Sequence, residues 1–149
     1  NTAKSRFTGA DLEFELQPWE KIAIGIRYSY LEAEDEKGAW LIDRPQQMAY
    51  GWIDWTDRFF DRQLGVTVRL SGRLIGKRWG MKFDPVTYQT NPAQLQQVGI
   101  FDVKLMFEFK DADIFYTLEN ILDKRYQKVM GYPMPGRTIR WGITWEFFD

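Results

Sequence analysis

The chain has 149 residues, a formal net charge of −1 and neither cysteine nor histidine, which excludes a thiolate nucleophile, an imidazole base and zinc ligation by these residues. Lys and Arg are scattered among Asp and Glu, without the basic patch expected of a nucleic-acid-binding protein. Aromatic residues make up 17% and charged residues 28% of the sequence, and no uncharged apolar run approaches the roughly 18–20 residues of a spanning helix, which excludes a helical membrane protein.

Apolar and polar residues alternate between turn signals along most of the chain, which predicts an all-β fold of about seven antiparallel strands. The strands are expected near residues 6–16, 22–31, 45–56, 63–77, 98–109, 114–122 and 137–147. Short turns are expected at residues 17–21, 57–62 and 110–113, and longer loops at residues 32–43, 79–97 and 123–136. Residues 79–97 contain Pro and Gln without clear alternation, so we expect them to form the longest loop.

Each strand divides into an apolar face and a polar face, because successive side chains of a strand point to opposite sides of the sheet. The third strand is the ambiguous one. Two sets of its residues compete for the apolar face: Met48, Tyr50 and Trp52, or Ala49, Gly51, Ile53 and Trp55. We favour the second set because it leaves Asp54 on the polar face.

The closing strand shows what the apolar face contacts. Its apolar set is Ile139, Trp141, Ile143, Trp145 and Phe147. A soluble sandwich usually fills such a face with Val, Ile and Leu, whereas Trp and Phe are typical of a membrane boundary, where amphipathic rings settle. The alternation therefore predicts the wall of an outer-membrane β-barrel.

Loop lengths alternate as they do in such barrels, which have short periplasmic turns and longer extracellular loops. This pattern predicts that the first strand descends to the periplasm and that the seventh ends there. An odd strand count then places the amino terminus outside the cell, unlike a complete bacterial barrel with its even number of strands. We therefore expect the chain to be part of a larger barrel.

Two motifs near the end resemble a known family. Asn120-Ile-Leu-Asp123-Lys-Arg-Tyr126, followed by Pro135-Gly136-Arg137 and an alternating aromatic strand, is similar to the carboxy-terminal end of TonB-dependent outer-membrane receptors. Ile121 and Leu122 are conservative departures from the family pattern. Asp43-Arg-Pro45 resembles another strand opening of these barrels, and the resemblance spans residues 7–147. Asn120, Asp123, Gly136 and Arg137 themselves are expected to form turns.

The resemblance implies a transmembrane barrel of about 22 strands with a plugged lumen, of which this chain supplies seven and no recognisable plug domain. It implies a receptor of the cell outer membrane of a Gram-negative bacterium that takes up a scarce nutrient of the iron–siderophore, haem or cobalamin type. The implied partners are outer-membrane lipid, the rest of the barrel and its plug, and the TonB complex through a region near the parent's amino terminus. No cofactor and no resident metal are implied.

Ligands in this family are captured by extracellular loops, so aromatic loop residues are the candidates for ligand contact. They are Trp40, Trp79, Phe83, Tyr88, Tyr126, Met130 and Tyr132. Packing at the membrane interface is the alternative explanation for aromatic residues at strand ends.

Arg140, Gly142, Trp145 and Phe147 resemble the terminal signal read by the outer-membrane assembly machinery, although Phe148 and Asp149 extend past the usual terminal aromatic residue. Relief of crowding within the strand is the alternative explanation for the glycine. It does not account for the spacing of the whole signal.

Charged residues leave further alternatives open. The run from Glu32 to Glu36 suggests calcium binding, a bridge to surface lipid through divalent cations, or a solvated loop. The solvated loop is favoured because the spacing of a defined calcium loop is missing. Arg69, Arg73 and Lys77 are expected inside the barrel, lining a pore or holding a plug.

Two other classes of protein are alternatives to a receptor barrel. One is a small self-contained barrel or passive pore, and the other is a soluble β-sandwich binding module. Catalysis is not expected.

Overall fold

Alternating side chains and tight turns fold the chain into an antiparallel sheet of seven strands, in a computed structural model that describes residues 4–146. The elements in chain order are β1 (Ser5–Trp19), β2 (Ile22–Asp35), β3 (Gln47–Phe59), β4 (Leu64–Ile75), β5 (Arg78–Asp84), β6 (Gln89–Leu95), β7 (Val98–Phe109), β8 (Ala112–Glu119), β9 (Gln127–Val129), β10 (Tyr132–Pro133) and β11 (Thr138–Trp145). The strand order of the large sheet is β1-β2-β3-β4-β7-β8-β11, which leaves β1 and β11 at its open edges. The predicted fold class is confirmed.

Connections at the two ends of this sheet differ in length. Two-residue turns join β1 to β2 and β7 to β8, and residues 60–63 join β3 to β4, so we call this end the turn end. The opposite end, here the loop end, carries loop 1 (residues 36–46), loop 2 (residues 76–97) and loop 3 (residues 120–137). The predicted alternation of short turns and long loops is confirmed. No helix in residues 4–146 is long and apolar enough to cross a membrane.

One prediction about loop 2 was wrong. Residues 79–97, expected to lack strands, contain most of the hairpin formed by β5 and β6, in register from Arg78 opposite Leu95 to Asp84 opposite Gln89. Pairing of a hairpin depends on backbone hydrogen bonds, and most side chains of this one are exposed. Neither face has to be apolar, so the sequence shows no alternation.

Several predicted boundaries also shift. β1 is longer than expected at both ends, from Ser5 to Trp19. β2 begins at Ile22 as predicted and extends further, to Asp35, which lies opposite Ser5. β3 begins at Gln47, β4 ends at Ile75 and β8 ends at Glu119. Lys77, predicted to face inward from the fourth strand, therefore lies beyond that strand at the loop end. The residue at which a strand ends depends on how far its partner strand pairs with it. The sequence of one strand alone does not show this.

The register places one apolar row across all seven strands of the large sheet. The row runs through Leu16, Ile24, Ile53, Leu70, Val103, Leu118 and Ile139, each directly opposite the next. A parallel row nearer the turn end ends in Tyr116 and Trp141. We call this side the outer face. Because Ile53 belongs to it and Asp54 does not, the favoured assignment of the third strand is confirmed.

Charged residues of the inner face pair with one another between neighbouring strands. Arg69 contacts both carboxylate oxygens of Asp54 at 2.6 Å, and the guanidinium of Arg73 lies 3.1 Å from Asp102. The bidentate geometry of the first pair is the stronger arrangement for Arg and a carboxylate. The guanidinium of Arg69 also lies 4.6 Å from the ring centroid of Trp52. The wall itself therefore neutralises the two cations that face inward from β4.

Trp52 fits on the inner face because Gly25 lies opposite it in the register. A Cβ atom at Gly25 would lie 2.5 Å from the Trp52 indole, a distance that real Cβ atoms do not show. The ring covers the glycine and remains under Arg69, so this glycine is required by close approach rather than by backbone conformation.

Substituting Gly25 should therefore be costly. We expect Gly25→Ala to displace Trp52 from Arg69 and to lower the free energy of unfolding by about 1–3 kcal/mol, the usual cost of overpacking. Urea unfolding in lipid vesicles measures this value. Gly51→Ala is the matched control, because its Cβ atom would meet no atom closer than the Gly25 carbonyl oxygen at 3.6 Å. Equal losses in the two variants would contradict the explanation.

Candidate ligand-binding surface at the loop end

The loop end is held together by Arg78, the first residue of β5. Its side chain belongs to loop 2, yet Nε donates to the carbonyl oxygen of Lys128 in loop 3 at 2.7 Å. Nη1 donates to the carbonyl of Gly76 at 3.2 Å, and Nη2 donates to that of Gln127. Arg78 is only 3% exposed. Burial lowers the pKa of its guanidinium because water is removed from the charged form, and the nearby Asp43 carboxylate acts in the opposite direction.

Asp43 joins loop 1 to loop 2 at Trp79, the residue after Arg78. The backbone N–H of Asp43 donates to the carbonyl of Trp79 at 2.7 Å, from a left-handed backbone conformation with φ of 59°. A Cβ atom at Gly80 would lie 2.7 Å from Cβ of Met130 and 3.5 Å from Oδ1 of Asp43. The absence of a side chain at Gly80 therefore lets loops 1, 2 and 3 meet.

The family-like motif of loop 3 has a structural role. Asn120 is 3% exposed; its Nδ2 donates to the carbonyl of Lys124 and its Oδ1 accepts from the backbone N–H of the same residue, both at 2.9 Å. Oδ1 of Asp123 accepts the backbone N–H of Arg137 at 2.8 Å. Asn120 and Asp123 have φ values of 52° and 51°, a conformation that Asn and Asp tolerate. These residues form turns, as predicted.

Two of the seven candidate contact residues come together. Trp40 of loop 1 and Trp79 of loop 2 line one cleft of about 220 Å³. The rest of its lining is Arg44, Gln46, Lys77, Arg78 and Gln94. The predicted site residues did not include Arg44, Gln46, Arg78 and Gln94, and Lys77 was predicted to face the barrel interior. Gln94 reaches the cleft through the hairpin register, which places it opposite Trp79.

The other five candidates lie elsewhere. Phe83 and Tyr88 form an edge-to-face pair at the tip of the β5–β6 hairpin, with ring centroids 6.3 Å apart. Met130 packs near Gly80, Tyr126 lines a groove that includes residues of β7, and Tyr132 is 71% exposed. The seven residues therefore do not form a single site, and the role of each in ligand contact stays a prediction.

The residues of the predicted assembly signal are spread over both faces of β11. Arg140 forms an ion pair with Glu119 on the inner face. Gly142 lies opposite Phe115, whose ring would be 2.7 Å from a Cβ atom at that position. Trp145 lies on the outer face, and Phe147 lies outside the described residues. Relief of crowding thus accounts for Gly142, while the signal as a whole stays a prediction.

Strand pairing disperses the acidic run that begins at Glu32. Its first four residues belong to β2 and alternate between the two faces. Oδ1 of Asp35 accepts the backbone N–H groups of Ala39 and Lys37 at 2.9 and 2.8 Å, which hold the pKa of this carboxyl below its ordinary value. Within residues 4–146 no group of three or more acidic side chains is placed to hold a metal ion.

Comparison with known proteins finds both relatives in sequence and solved structures of similar fold. No family model matches the chain. The vitamin B12 transporter BtuB of Vibrio cholerae is 26% identical over 125 residues, which cover 78% of this chain and 18% of the transporter. The chain thus spans about a fifth of the length of the curated relatives that it matches.

Solved structures that share this fold include a receptor of the outer membrane and an import receptor. The ferripyoverdine receptor of the outer membrane of Pseudomonas aeruginosa superposes with a TM-score of 0.76 at 16% identity, over 97% of this chain and 20% of the receptor. The ferric-catecholate import receptor Fiu of E. coli K12 gives 0.72 at 19% identity, over 97% and 21%. The likeness to these structures concerns the fold.

The hydrogen bonds from Arg78 to Lys128 and Gln127, here the joint at Arg78, should limit the opening of loop 3. Arg78→Lys should lose two of the three hydrogen bonds and leave buried carbonyl groups unpaired, at a cost of about 1–3 kcal/mol. We therefore expect trypsin to cleave residues 124–128 roughly tenfold faster in outer-membrane preparations, since proteolysis follows local opening. Arg125→Lys is the control, because it keeps a cleavage site and removes no hydrogen bond of this joint. An unchanged cleavage rate in Arg78→Lys would contradict the role of Arg78 in holding loop 3 to loop 2.

Proposed function

We propose that this chain, a β-barrel segment of a TonB-dependent outer-membrane receptor, forms the carboxy-terminal part of the barrel wall and three extracellular loops of a nutrient importer. The observation that carries the proposal is the outer face, which stays apolar across seven neighbouring strands while the inner face holds paired charges. A transmembrane barrel requires this division between lipid and a polar interior.

The loop end lies outside the cell and the turn end in the periplasm in this proposal. Short turns on the periplasmic side and longer loops outside are the rule for bacterial barrels. The cluster of loops 1, 2 and 3 around Arg78 then faces the medium, where a ligand arrives. The localisation is the outer membrane of a Gram-negative bacterium.

The cargo is a scarce nutrient, of the iron–siderophore, haem or cobalamin type. The similar proteins are described as a vitamin B12 transporter, a ferripyoverdine receptor and a ferric-catecholate import receptor. These descriptions differ in the ligand, and each is of a transporter or a receptor. The chain is accordingly a part of a transport receptor rather than of an enzyme.

The proposed partners follow from the edges of the sheet. β1 and β11 have one neighbour each among the described strands, and an unpaired strand edge in a membrane needs a partner. The rest of the barrel supplies it, with a plug domain and the region that contacts the TonB complex preceding this chain in the parent. The assembly machinery would recognise Arg140, Gly142, Trp145 and Phe147.

The soluble β-sandwich alternative requires a second sheet packed on the outer face. Side chains there are widely exposed, for example Leu12 at 64% and Trp141 at 66%, and the two additional hairpins in residues 4–146 both belong to loops at the loop end. A membrane covers such a face without a second sheet.

A charge on the outer face tests the membrane contact. Leu70 lies midway along β4 on the outer face, and Leu70→Arg should cost about 2–4 kcal/mol near the bilayer midplane. The amount of folded protein in the outer-membrane fraction measures the effect. Thr144→Arg is the control, because Thr144 lies on the inner face opposite Asp113. Equal accumulation of both variants would contradict the assignment of the outer face.

Import is tested with the parent gene in the bacterium that carries it. Deleting the gene should abolish high-affinity uptake of one labelled compound among vitamin B12, haem and a panel of ferric siderophores. Removing TonB from the wild-type strain should abolish the same uptake, since import against a gradient needs energy. Uptake that persists without TonB would favour a passive pore instead. Wild-type uptake of every compound tested in the deletion strain would overturn the proposed cargo class.

A further inference from the structure

The cleft between Trp40 and Trp79 differs in charge from the inner wall of the sheet. Three cations and two amides line it, namely Arg44, Lys77, Arg78, Gln46 and Gln94, and no Asp or Glu does. Arg44 and Lys77 make no ion pair or side-chain hydrogen bond within residues 4–146. On the inner wall, by contrast, Arg27, Arg69 and Arg73 each have a carboxylate partner.

Backbone hydrogen bonds fix the walls of this cleft. Gln46 accepts a hydrogen bond through its carbonyl from Leu31 at 2.8 Å, which anchors the end of loop 1 to β2. The Asp43–Trp79 bond joins loop 1 to the hairpin at 2.7 Å, and Trp40 forms an isolated β-bridge with Glu34. A site held in this way loses little conformational entropy when a ligand enters.

We propose that this cleft binds a small planar anion, an aromatic ring that carries a carboxylate or a comparable acidic group. The Trp40 and Trp79 side chains supply flat apolar walls for the ring, and Arg44 and Lys77 neutralise the anion. Gln46 and Gln94 offer amide N–H donors. The inference rests on the proposed function only in placing the cleft outside the cell.

Size and charge argue against other occupants. The volume of about 220 Å³ is below the roughly 300–1,000 Å³ of pockets for drug-sized ligands, so the cleft suits one ring or one such group of a larger molecule. Trp side chains also attract cations. Two unpaired cations beside them would repel a cationic ligand, which leaves an anion as the favoured one.

The test uses benzoate and its neutral analogue benzamide with the full-length receptor in detergent, followed by isothermal titration calorimetry. A fragment of this size should bind with a dissociation constant on the order of millimolar. Benzamide should bind at least about tenfold more weakly, because charge-assisted hydrogen bonds are roughly twice as strong as neutral ones. The double variant Arg44→Gln, Lys77→Gln should weaken benzoate binding about tenfold and leave benzamide unchanged.

The double variant Arg62→Gln, Lys110→Gln is the control, because it removes two exposed cations at the turn end and should change neither affinity. Heat-modifiable mobility on gels verifies that each variant is folded. Equal affinities for benzoate and benzamide, an unchanged benzoate affinity in the Arg44 and Lys77 variant, or no benzoate binding at tens of millimolar would each overturn the proposal. None of these outcomes bears on import, which the uptake measurement tests separately.

Discussion

The register between neighbouring strands is the constraint on which the rest of this structure depends. Side chains of a strand alternate with a period of two, so a slip of one residue exchanges its entire faces. In the observed register, Ile53 lies between Ile24 and Leu70 on the outer face, and Asp54 lies opposite Arg69 on the inner face. A one-residue slip between β3 and β4 would separate the Asp54 carboxylate from the Arg69 guanidinium and place one of them among apolar side chains. The Asp54–Arg69 pair and the apolar row therefore enforce the same alignment.

Glycines adapt this register to large side chains. Trp52 lies over Gly25, and Phe115 lies over Gly142. Each ring occupies the space that a neighbouring side chain would otherwise take, so the inner face accommodates aromatic residues without separating the strands. The same principle operates between the loops, where Gly80 admits Met130 and the Asp43 carboxylate. Close approach at a few glycines thus determines both the packing of the wall and the meeting of the loops.

The charges of arginine side chains have different partners in the wall and at the loop end. The wall pairs Arg27, Arg69 and Arg73 with carboxylates of neighbouring strands, which suits a surface of limited solvation. Arg78 instead satisfies its buried guanidinium with backbone carbonyl groups of two loops. These hydrogen bonds hold the guanidinium in place, and the Asp43 carboxylate lies nearby. Arg44 and Lys77 lie beside this buried cation and have no ion-pair partner among residues 4–146, so positive charge is concentrated where loops 1 and 2 meet.

The amino-acid sequence by itself determined the seven strands of the large sheet, their apolar and polar faces and the alternation of turns and loops, because period-two alternation is a local property of the chain. It also indicated the turn-forming role of Asn120 and Asp123, since these side chains bond to the backbone a few residues away or within one loop. The β5–β6 hairpin, the joint at Arg78 and the Trp40–Trp79 cleft were decided only by the tertiary structure. The Arg78 contacts and the cleft unite residues that are far apart in sequence, as Arg78 and Lys128 are. The hairpin is local, but it pairs through backbone groups that every residue carries, and its mostly exposed side chains leave no pattern in the sequence.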